Sequence, residues 1–329
     1  MDADTVAYNQ LDPETIIQAV ESTGLKCDGR ITALNSYENR VYQIGIEDEE
    51  PIIGKFYRPK RWPDETIQEE HDFTLELQAN EIPVVAPLVL EGQSLQHHAN
   101  FRFALYPRRG GYPPETDNEE ELEQLGHVIA RMHNIGATKS FSHRLSMQPL
   151  EDSREASDFL LANAFIPNDL IIAYESLCTQ LFEQMQGFEN ALTQTHFIRI
   201  HADFHHGNVL YRDNIANIVD FDDARMGPAV QDIWMFLAGD RQEMTLGLGI
   251  ILDAYSEFRE FEASELTIIE LLRTARIMTY AAWIAKRWQD PAFPIAFPYF
   301  NSQQYWENHI LTLREQAALL QEPPLKWYP

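Results

Sequence analysis

The chain has 329 residues, and its 25 lysines and arginines against 51 aspartates and glutamates give a formal net charge of −26. A chain of this length can bury a sizeable core, and two lobes are expected rather than one. The negative charge argues against nucleic-acid and anionic-membrane partners, because both require positive charge on the protein. It would steer a basic acceptor, although solubility in an acidic or salty cytoplasm explains it equally well.

The cysteines and the N-terminus indicate a cellular compartment. Cys27 and Cys178 provide no disulfide framework and suit a reducing environment. Residues 1–9 lack a basic region followed by an apolar core, so we expect no signal peptide. The longest apolar stretch, 277–285, falls short of the ~20 residues that span a bilayer. We therefore expect a cytoplasmic protein, and a monomer.

A helix and a β-hairpin are the first predicted elements. Asp12 and Pro13 are typical of a helix start, and Gly24 is typical of its end. Strands are expected next, and the segment 34–44 predicts a hairpin whose turn contains asparagine, serine and glutamate instead of glycine. Ser36 in this turn could offer both its hydroxyl and its N–H to a phosphate. An ordinary solvent-exposed hairpin would have a similar sequence.

The apolar strand 51–57 carries one lysine, Lys55, in its interior. An inward-facing lysine is costly unless a carboxylate pairs with it. The segment 67–77 predicts the next helix, and Glu70 on its apolar face is the expected partner, with Glu69 as the fallback. An edge-strand lysine beside a solvated helix face would give the same pattern, because periodicity over so short a run is weak.

Two further strands are predicted at 84–90 and 101–106. The segment 106–111 then predicts a hinge, and the Pro- and acid-rich region 112–121 predicts a loop. After this loop the chain is mostly helical, interrupted by a pair of strands near residue 200. This order of elements indicates an α+β fold.

The most informative segment begins at His201. Asp203 and Asn208 complete the H-x-D-x-x-x-x-N spacing with which kinase-type phosphotransferases hold an acceptor hydroxyl, a magnesium ion and a nucleoside triphosphate. Asp203 would accept the proton of the hydroxyl or orient it, and Asn208 would present its amide oxygen to Mg²⁺. Asp220, at the end of the next apolar run, would supply the charged oxygen ligand that Mg²⁺ prefers.

The residues around this set have less certain roles. Asp222 lies on the same side as Asp220 if the strand continues, which makes it a candidate second-metal ligand, whereas Asp223 would point away and be solvated or salt-bridged. His201 directly follows the apolar strand, where an imidazole can brace the loop through hydrogen bonds. The competing interpretation is a zinc or iron hydrolase with the ligands His201, Asp203, His205 and His206.

The upstream residues favour the phosphotransferase. Lys55 would place a cation on the α- and β-phosphates, and the hairpin with Ser36 would cover them, whereas a zinc site has no use for either. We therefore predict ATP as substrate and Mg²⁺ as cofactor. Backbone groups of residues 105–108, which include Tyr106 and Arg108, would meet the edge of the adenine.

The C-terminal third should determine the choice of acceptor. The segment 266–288 predicts one long helix with these side chains at three- or four-residue spacing: Leu272, Arg276, Tyr280, Trp283 and Arg287. Most of them fit a helix core bordered by arginines, and one or two could contact the acceptor. The proline- and aromatic-rich segment 290–299 is either a packed cap or a peptide-docking surface.

Several stretches resemble the aminoglycoside phosphotransferase/choline kinase branch of the protein-kinase-like fold. Residues 125–133 (LGHVIARMH) look like the L-G-x-x-L-A-x-L-H helix of that branch, 83–87 (PVVAP) like its V-P-x-P turn, and 227–232 (GPAVQD) like its G-P-x-x-x-D element. The resemblance implies that Asp232 braces the catalytic loop by bonding its backbone. It covers almost the full length of the chain.

Three more specific stretches resemble the bacterial stress response kinase A group. They are 34–41 (LNSYENRV), 55–59 (KFYRP) and 287–294 (RWQDPAFP). This resemblance implies a cytosolic, Mg²⁺- and ATP-dependent kinase that acts on serine or threonine hydroxyls of proteins and is linked to stress protection. At Gly54 the chain departs from the family, because a larger residue would normally roof the adenine.

The resemblance implies a bilobal protein-kinase-like fold. An N-lobe of residues 1–107 would hold an antiparallel sheet with one pairing helix, and a mainly helical C-lobe would span residues 108–329. A small-molecule kinase for an amino alcohol, a sugar or an aminoglycoside-like acceptor stays open as the alternative. A nucleotide-binding regulator without turnover is less well supported, because it has no chemical need for the full set of charged site residues.

Overall fold

An antiparallel sheet forms the first part of the molecule. The computed structural model of the protein describes residue 8 and residues 11–115 and 117–328. Within these residues the sheet has five strands in the order β1-β2-β3-β5-β4. The elements of this part are α1 (Pro13–Glu21), β1 (Cys27–Ala33), β2 (Arg40–Ile46), β3 (Ile52–Phe56), α2 (Asp64–Ala79), β4 (Gln96–His98) and β5 (Phe101–Pro107).

The predicted start of α1 is confirmed, whereas the helix ends at Glu21, three residues before Gly24. The side chain of Asp12 accepts a hydrogen bond from the backbone N–H of Thr15 at 2.8 Å, and Pro13 occupies the first turn. Gly24 follows the helix with φ at +90°, a conformation that favours glycine.

The side chains of β3 alternate between a core and an open cleft. A Cβ on Gly54 would lie 2.8 Å from Ile44 Cδ1, inside the apolar cluster that the sheet shares with α1. Ile53 and Lys55 line the cleft on the opposite face. The expectation that Gly54 loosens the roof over the adenine is therefore wrong, because Ile53 is the residue of β3 on that side.

The segment 84–90 is not a strand, although the structure describes all of it. It makes isolated contacts, among them a parallel bridge between Val84 and Ile218. Pro87 interrupts the segment and Pro83 directly precedes it, and proline has no N–H to donate to a strand ladder. The short strand β4 forms the edge of the sheet in its place.

Helices dominate the rest of the chain, as predicted. They are α3 (Glu119–Gly136), α4 (Pro149–Ala162), α5 (Ile171–Gln186), α6 (Glu189–Gln194), α7 (Gln231–Trp234), α8 (Arg241–Ser256), α9 (Ile269–Lys286), α10 (Ala292–Ala296) and α11 (Gln303–Leu319). Two short antiparallel pairs interrupt them, β6 (Ile198–Ile200) with β9 (Arg225–Gly227) and β7 (Val209–Arg212) with β8 (Ile215–Ile218). This arrangement confirms the α+β fold.

The helical part contains the larger apolar core, which also receives Phe73 and Leu77 from α2. Helix α9 begins three residues later than the predicted start at 266, because residues 263–268 form a 3-10 helix. In the described ranges, no helix is long and apolar enough to cross a membrane.

Close packing of α3 against α8 gives a stability prediction. A Cβ on Gly126 would overlap the carbonyl oxygen of Ile251, which belongs to the backbone and cannot rotate away. We expect Gly126→Ala to lower the free energy of unfolding by about 1–3 kcal/mol, the usual cost of overpacking. Urea unfolding followed by circular dichroism measures the change.

Gly249 in α8 is the matched control, because a Cβ there would have open space around it. Gly249→Ala should raise the free energy of unfolding by up to about 1 kcal/mol, since alanine favours the helix. Equal stability of the two variants would contradict the packing of α3 on α8.

Candidate active site

The catalytic loop, residues 201–208, connects β6 to β7 and is braced by Asp232. The buried carboxylate of Asp232 in α7 accepts hydrogen bonds from the backbone N–H groups of His201 at 2.8 Å and Ala202 at 2.7 Å. Ala202 has φ at +69°, a left-handed conformation that is costly for a residue other than glycine. The contact expected between Asp232 and the loop backbone is present and stabilises this turn.

His201 ties the loop to the segment that carries Asp220. Its Nε2 lies 2.9 Å from the carbonyl oxygen of Val219, and its Nδ1 accepts the backbone N–H of Asp203 at 3.3 Å. An imidazole with its proton on Nε2 satisfies both contacts. Backbone groups therefore use both ring nitrogens of His201, as bracing requires.

The four residues of the hydrolase interpretation do not form a metal cluster. His201 is engaged by the backbone, and the ring of His206 packs against Phe236 with centroids 4.8 Å apart. No group of three or more His, Cys, Asp or Glu side chains in the described part of the chain is arranged to hold a metal ion.

Asp203 has two basic neighbours. Arg276 Nη2 lies 2.7 Å from its Oδ1, and His205 Nε2 lies 3.6 Å from its Oδ2. Burial raises the pKa of Asp203, but His205 and Arg276 outweigh burial and leave this pKa below its ordinary value. The carboxylate is therefore ionised at neutral pH.

Asn208 lines the same cleft. Its side-chain Nδ2 donates to the carbonyl oxygen of Asp203 at 2.9 Å, which leaves its Oδ1 as the acceptor of the amide. Asp220 follows β8 with φ at +63°, and its half-exposed carboxylate lies 3.0 Å from Lys55 Nζ. The amide oxygen and this carboxylate are hard oxygen donors, so the two residues fit Mg²⁺.

Asp222 was predicted as a second metal ligand on the condition that the strand continues from Asp220. The strand does not continue. Strand β8 ends at Ile218, and residues 221–223 form a 3-10 turn. Asp222 nevertheless lines the cleft, where its buried carboxylate lies 3.3 Å from Lys55 Nζ and pairs with Arg61. Its neighbour Asp223 is salt-bridged, with Arg61 at 2.8 Å.

Lys55 is buried, with 7% of its surface exposed, and three carboxylates surround its ammonium. Glu70 lies at 3.6 Å, Asp220 at 3.0 Å and Asp222 at 3.3 Å. Burial lowers the pKa of Lys55, but Asp220 and Glu70 outweigh burial and raise this pKa above its ordinary value. The lysine therefore stays charged inside the molecule.

Glu70, not Glu69, is the partner of the lysine. Glu69 faces another loop, where its carboxylate accepts the backbone N–H groups of His143 at 2.7 Å and Arg144 at 2.8 Å. The two adjacent glutamates of α2 therefore have different structural tasks.

Ser36 lies in the turn between β1 and β2 and lines the cleft, and its hydroxyl donates to the carbonyl oxygen of Asn39 at 3.2 Å.

Glu38, two residues after Ser36, has no site role in the sequence analysis. The carboxylate of Glu38 is buried among arginines and also accepts from an indole: Arg58 at 3.1 Å, Arg61 at 3.5 Å, Arg287, and Trp283 Nε1 at 2.7 Å. Burial raises the pKa of Glu38, but these arginines hold it below its ordinary value.

A second ionic cluster forms around Asp290. Arg40 Nη2 lies 2.8 Å and 2.9 Å from its two oxygens, and Arg58 Nη2 lies at 2.8 Å. Glu38 and Asp290 thus bring together the three stretches 34–41, 55–59 and 287–294. The segment 290–299 packs through Phe293 and exposes Ile295 and Tyr299.

The predicted hinge, residues 106–111, contributes the side chain of Tyr106 to the cleft but not that of Arg108. Tyr106 lines the cleft, and its hydroxyl lies 3.1 Å from that of Tyr57. The side chain of Arg108 bonds to Gln43 at 2.9 Å and does not line the cleft. The carbonyl oxygen of Leu105 accepts the N–H of Leu88, so this oxygen is already used within the fold.

One cleft of about 1140 Å³ contains the candidate site. Its lining includes most of the predicted site residues: Ser36, Lys55, Glu70, Tyr106, Asp203, Asn208, Asp220 and Asp222. The α9 residues singled out in the sequence also line it, together with Arg287: Leu272, Arg276, Tyr280 and Trp283. The cleft can hold a nucleotide with an acceptor beside it.

The chain matches the model of the phosphotransferase enzyme family over residues 30–265. It is 41% identical over 330 residues to stress response kinase A of Escherichia coli K12, with 100% of this chain and 99% of the relative covered. It is 40% identical over 329 residues to the serine/threonine protein kinase RdoA of Salmonella typhimurium LT2, again with 100% of this chain and 99% of the relative covered. The chain therefore belongs to the phosphotransferase enzyme family and, within it, to the stress response kinase A group.

Solved structures agree at the level of the fold. Amicoumacin kinase hAmiN, in complex with AMP-PNP, Ca²⁺ and Ami, matches with a TM-score of 0.69 and 20% sequence identity. The match covers 92% of this chain and 96% of that one. The two proteins share the protein-kinase-like architecture.

A buried carboxylate bonded to the backbone of Val230 gives a pH prediction. Glu265 accepts the backbone N–H of Val230 at 2.8 Å, and burial raises its pKa to about 7. An acid whose pKa is raised by folding stabilises the protein below its unfolded pKa of 4.5, and this stabilisation is lost as the pH rises through about 7. The stability of Glu265→Gln relative to wild type should therefore be about 2 kcal/mol more favourable at pH 8 than at pH 5.

Denaturant unfolding of both proteins at the two pH values measures this difference, and the comparison cancels other titrating groups. A pH-independent difference would show that Glu265 has an ordinary pKa.

Proposed function

We propose that this phosphotransferase moves the γ-phosphoryl group of ATP to serine or threonine hydroxyls of proteins, with Mg²⁺, in a bacterial stress response. The observation that carries the proposal is the meeting of Lys55, Asp203, Asn208 and Asp220 in one cleft. The serine/threonine protein kinase name of the Salmonella relative supports a protein acceptor.

Each residue has a defined task in this reaction. Asp203 accepts the proton of the acceptor hydroxyl while the hydroxyl oxygen bonds to the γ-phosphorus, the bond to the bridging oxygen breaks, and ADP leaves with the electron pair. Lys55 binds the α- and β-phosphates, and Glu70 orients it. Bound Mg²⁺, with Asn208 and Asp220 as ligands, would supply positive charge to the phosphate oxygens.

The remaining residues position the substrates. Ser36 covers the phosphates, and the backbone at Tyr106 and Arg108 meets the adenine. His201 and Asp232 hold the catalytic loop in place, and Asp222 is the candidate second metal ligand. We place the division between the N-lobe, residues 1–107, and the C-lobe, residues 108–329, at the end of β5.

A small-molecule kinase is the second candidate. It is favoured by the structural similarity to a kinase of amicoumacin, which covers most of both chains. An acceptor of this kind would use the same phosphate and metal residues and differ in its contacts with α9.

Transfer of label from [γ-³²P]ATP with Mg²⁺, with and without myelin basic protein, distinguishes the two. Label in serine or threonine of a protein is expected, and Asp203→Ala and Asp220→Ala should each lower kcat by at least about 100-fold, because each removes a group required for positioning or charge compensation. Gly249→Ala serves as a control and should retain wild-type activity.

ATP consumption that appears only with a pool of metabolites would favour the small-molecule kinase. An active Asp220→Ala enzyme would refute the assignment of the metal ligand.

A further inference from the structure

A contact between α9 and the catalytic loop has no role in the reaction described above. Arg276 Nη2 lies 2.7 Å from Asp203 Oδ1, and the arginine side chain is 37% exposed in the cleft. Asp203 is the residue proposed to accept the proton of the acceptor, so a cation in direct contact with it either assists the reaction or blocks the hydroxyl.

The catalytic loop supplies no permanent cation of its own to Asp203. The residues between Asp203 and Asn208 are Phe204, His205, His206 and Gly207. His205 lies 3.6 Å from the other carboxylate oxygen, and its Nδ1 is used by the N–H of Gly207 at 3.0 Å. A histidine also carries charge only when protonated. The permanent positive charge at Asp203 therefore comes from α9.

Helix α9 is a rigid support for this contact. It packs along α4, and its side chains that face the cleft recur at helical spacing. The guanidinium of Arg276 lies 6.0 Å from the ring centroid of Tyr280, one turn further along. Oδ1 of Asp203 is buried and has no hydrogen-bond partner among the described residues, so the guanidinium acts on it through its charge.

We propose that Arg276 is a positioning residue for phosphoryl transfer. Its positive charge lies 2.7 Å from Oδ1 of Asp203 and thereby holds the carboxylate in the cleft, where the carboxylate accepts the proton of the acceptor hydroxyl. This proposal rests on the function proposed above. Because Arg276 acts through Asp203 and not through the nucleotide-binding residues, its loss lowers kcat and leaves nucleotide affinity unchanged.

The test compares wild type with Arg276→Ala, Arg276→Lys and Arg273→Gln in the full chain with ATP and Mg²⁺. Arg273 is the matched control, because it lies one turn earlier on α9 and pairs with Glu270 at 3.5 Å. Myelin basic protein is present, and the release of ADP is followed because ADP release reports transfer to any acceptor, including water. Calorimetry gives the Kd for ADP with Mg²⁺, and thermal unfolding verifies the fold of each variant.

We expect Arg276→Ala to lower kcat about 10- to 100-fold, with the KM for ATP and the Kd for ADP within about twofold of wild type. Arg276→Lys should recover part of kcat because it keeps the charge, and added guanidinium ion should partly restore Arg276→Ala. Arg273→Gln should stay within about twofold of wild type in every measurement.

An unchanged kcat in Arg276→Ala would overturn the proposal, and a raised kcat would show that Arg276 blocks the acceptor. A loss of kcat that neither lysine nor guanidinium restores, with a parallel loss of ADP affinity, would assign a structural role and also overturn it. Failure of the proposed function would give a different result, either full activity in Asp203→Ala or no ADP release by the wild type.

Discussion

The buried ammonium of Lys55 constrains the arrangement of the whole site. An unpaired charge at such a position is strongly destabilising, so the fold must bring carboxylates to it. Glu70 comes from α2, and Asp220 and Asp222 come from the loop after β8. Pairing this one lysine therefore fixes the sheet, α2 and the loop after β8 relative to one another. In the proposed reaction, the phosphates of a nucleotide would meet a cation that is already in position.

The turn over the cleft is held by side chains and not by a glycine-rich backbone. Glu38 and Asp290 each collect arginines from distant parts of the chain, so the turn with Ser36 is anchored to the C-terminal end of α9. Ion pairs of this kind are weak on a surface, but these are largely buried and share their partners in a network. The three stretches that distinguish the stress response kinase A group are the ones that build this anchor. The same helix also carries Arg276, so α9 contacts both the turn over the phosphates and Asp203.

Local sequence patterns predicted which residues meet in the cleft better than they predicted the path of the chain. The spacing of Asp203 and Asn208 and the inward lysine of β3 were readable because each depends on a few neighbouring residues. The predicted strand at 84–90 was wrong, since Pro87 within the segment and Pro83 directly before it remove backbone donors from an otherwise apolar run. Gly54 was assigned to the wrong face of β3, an error of one residue in the register of alternation.

The contacts that the sequence did not reveal join residues far apart. Arg40 and Asp290 are 250 positions apart, and Trp283 and Glu38 are 245. A single sequence contains no signal for such pairs beyond the complementary charges in the stretches 34–41, 55–59 and 287–294. The contact between Arg276 and Asp203 was not predicted, for the same reason. Helical spacing singled out Arg276 on the predicted helix but did not show which carboxylate it meets.

A crystal structure with AMP-PNP and Mg²⁺ tests the assignment of the cleft most directly. The metal should be bound by Oδ1 of Asn208 and the carboxylate of Asp220, with Lys55 in contact with the α- and β-phosphates and the adenine edge at the backbone of residues 106–108. A metal held by His205 and His206, or a nucleotide bound outside the cleft, would contradict the phosphotransferase site described for this chain.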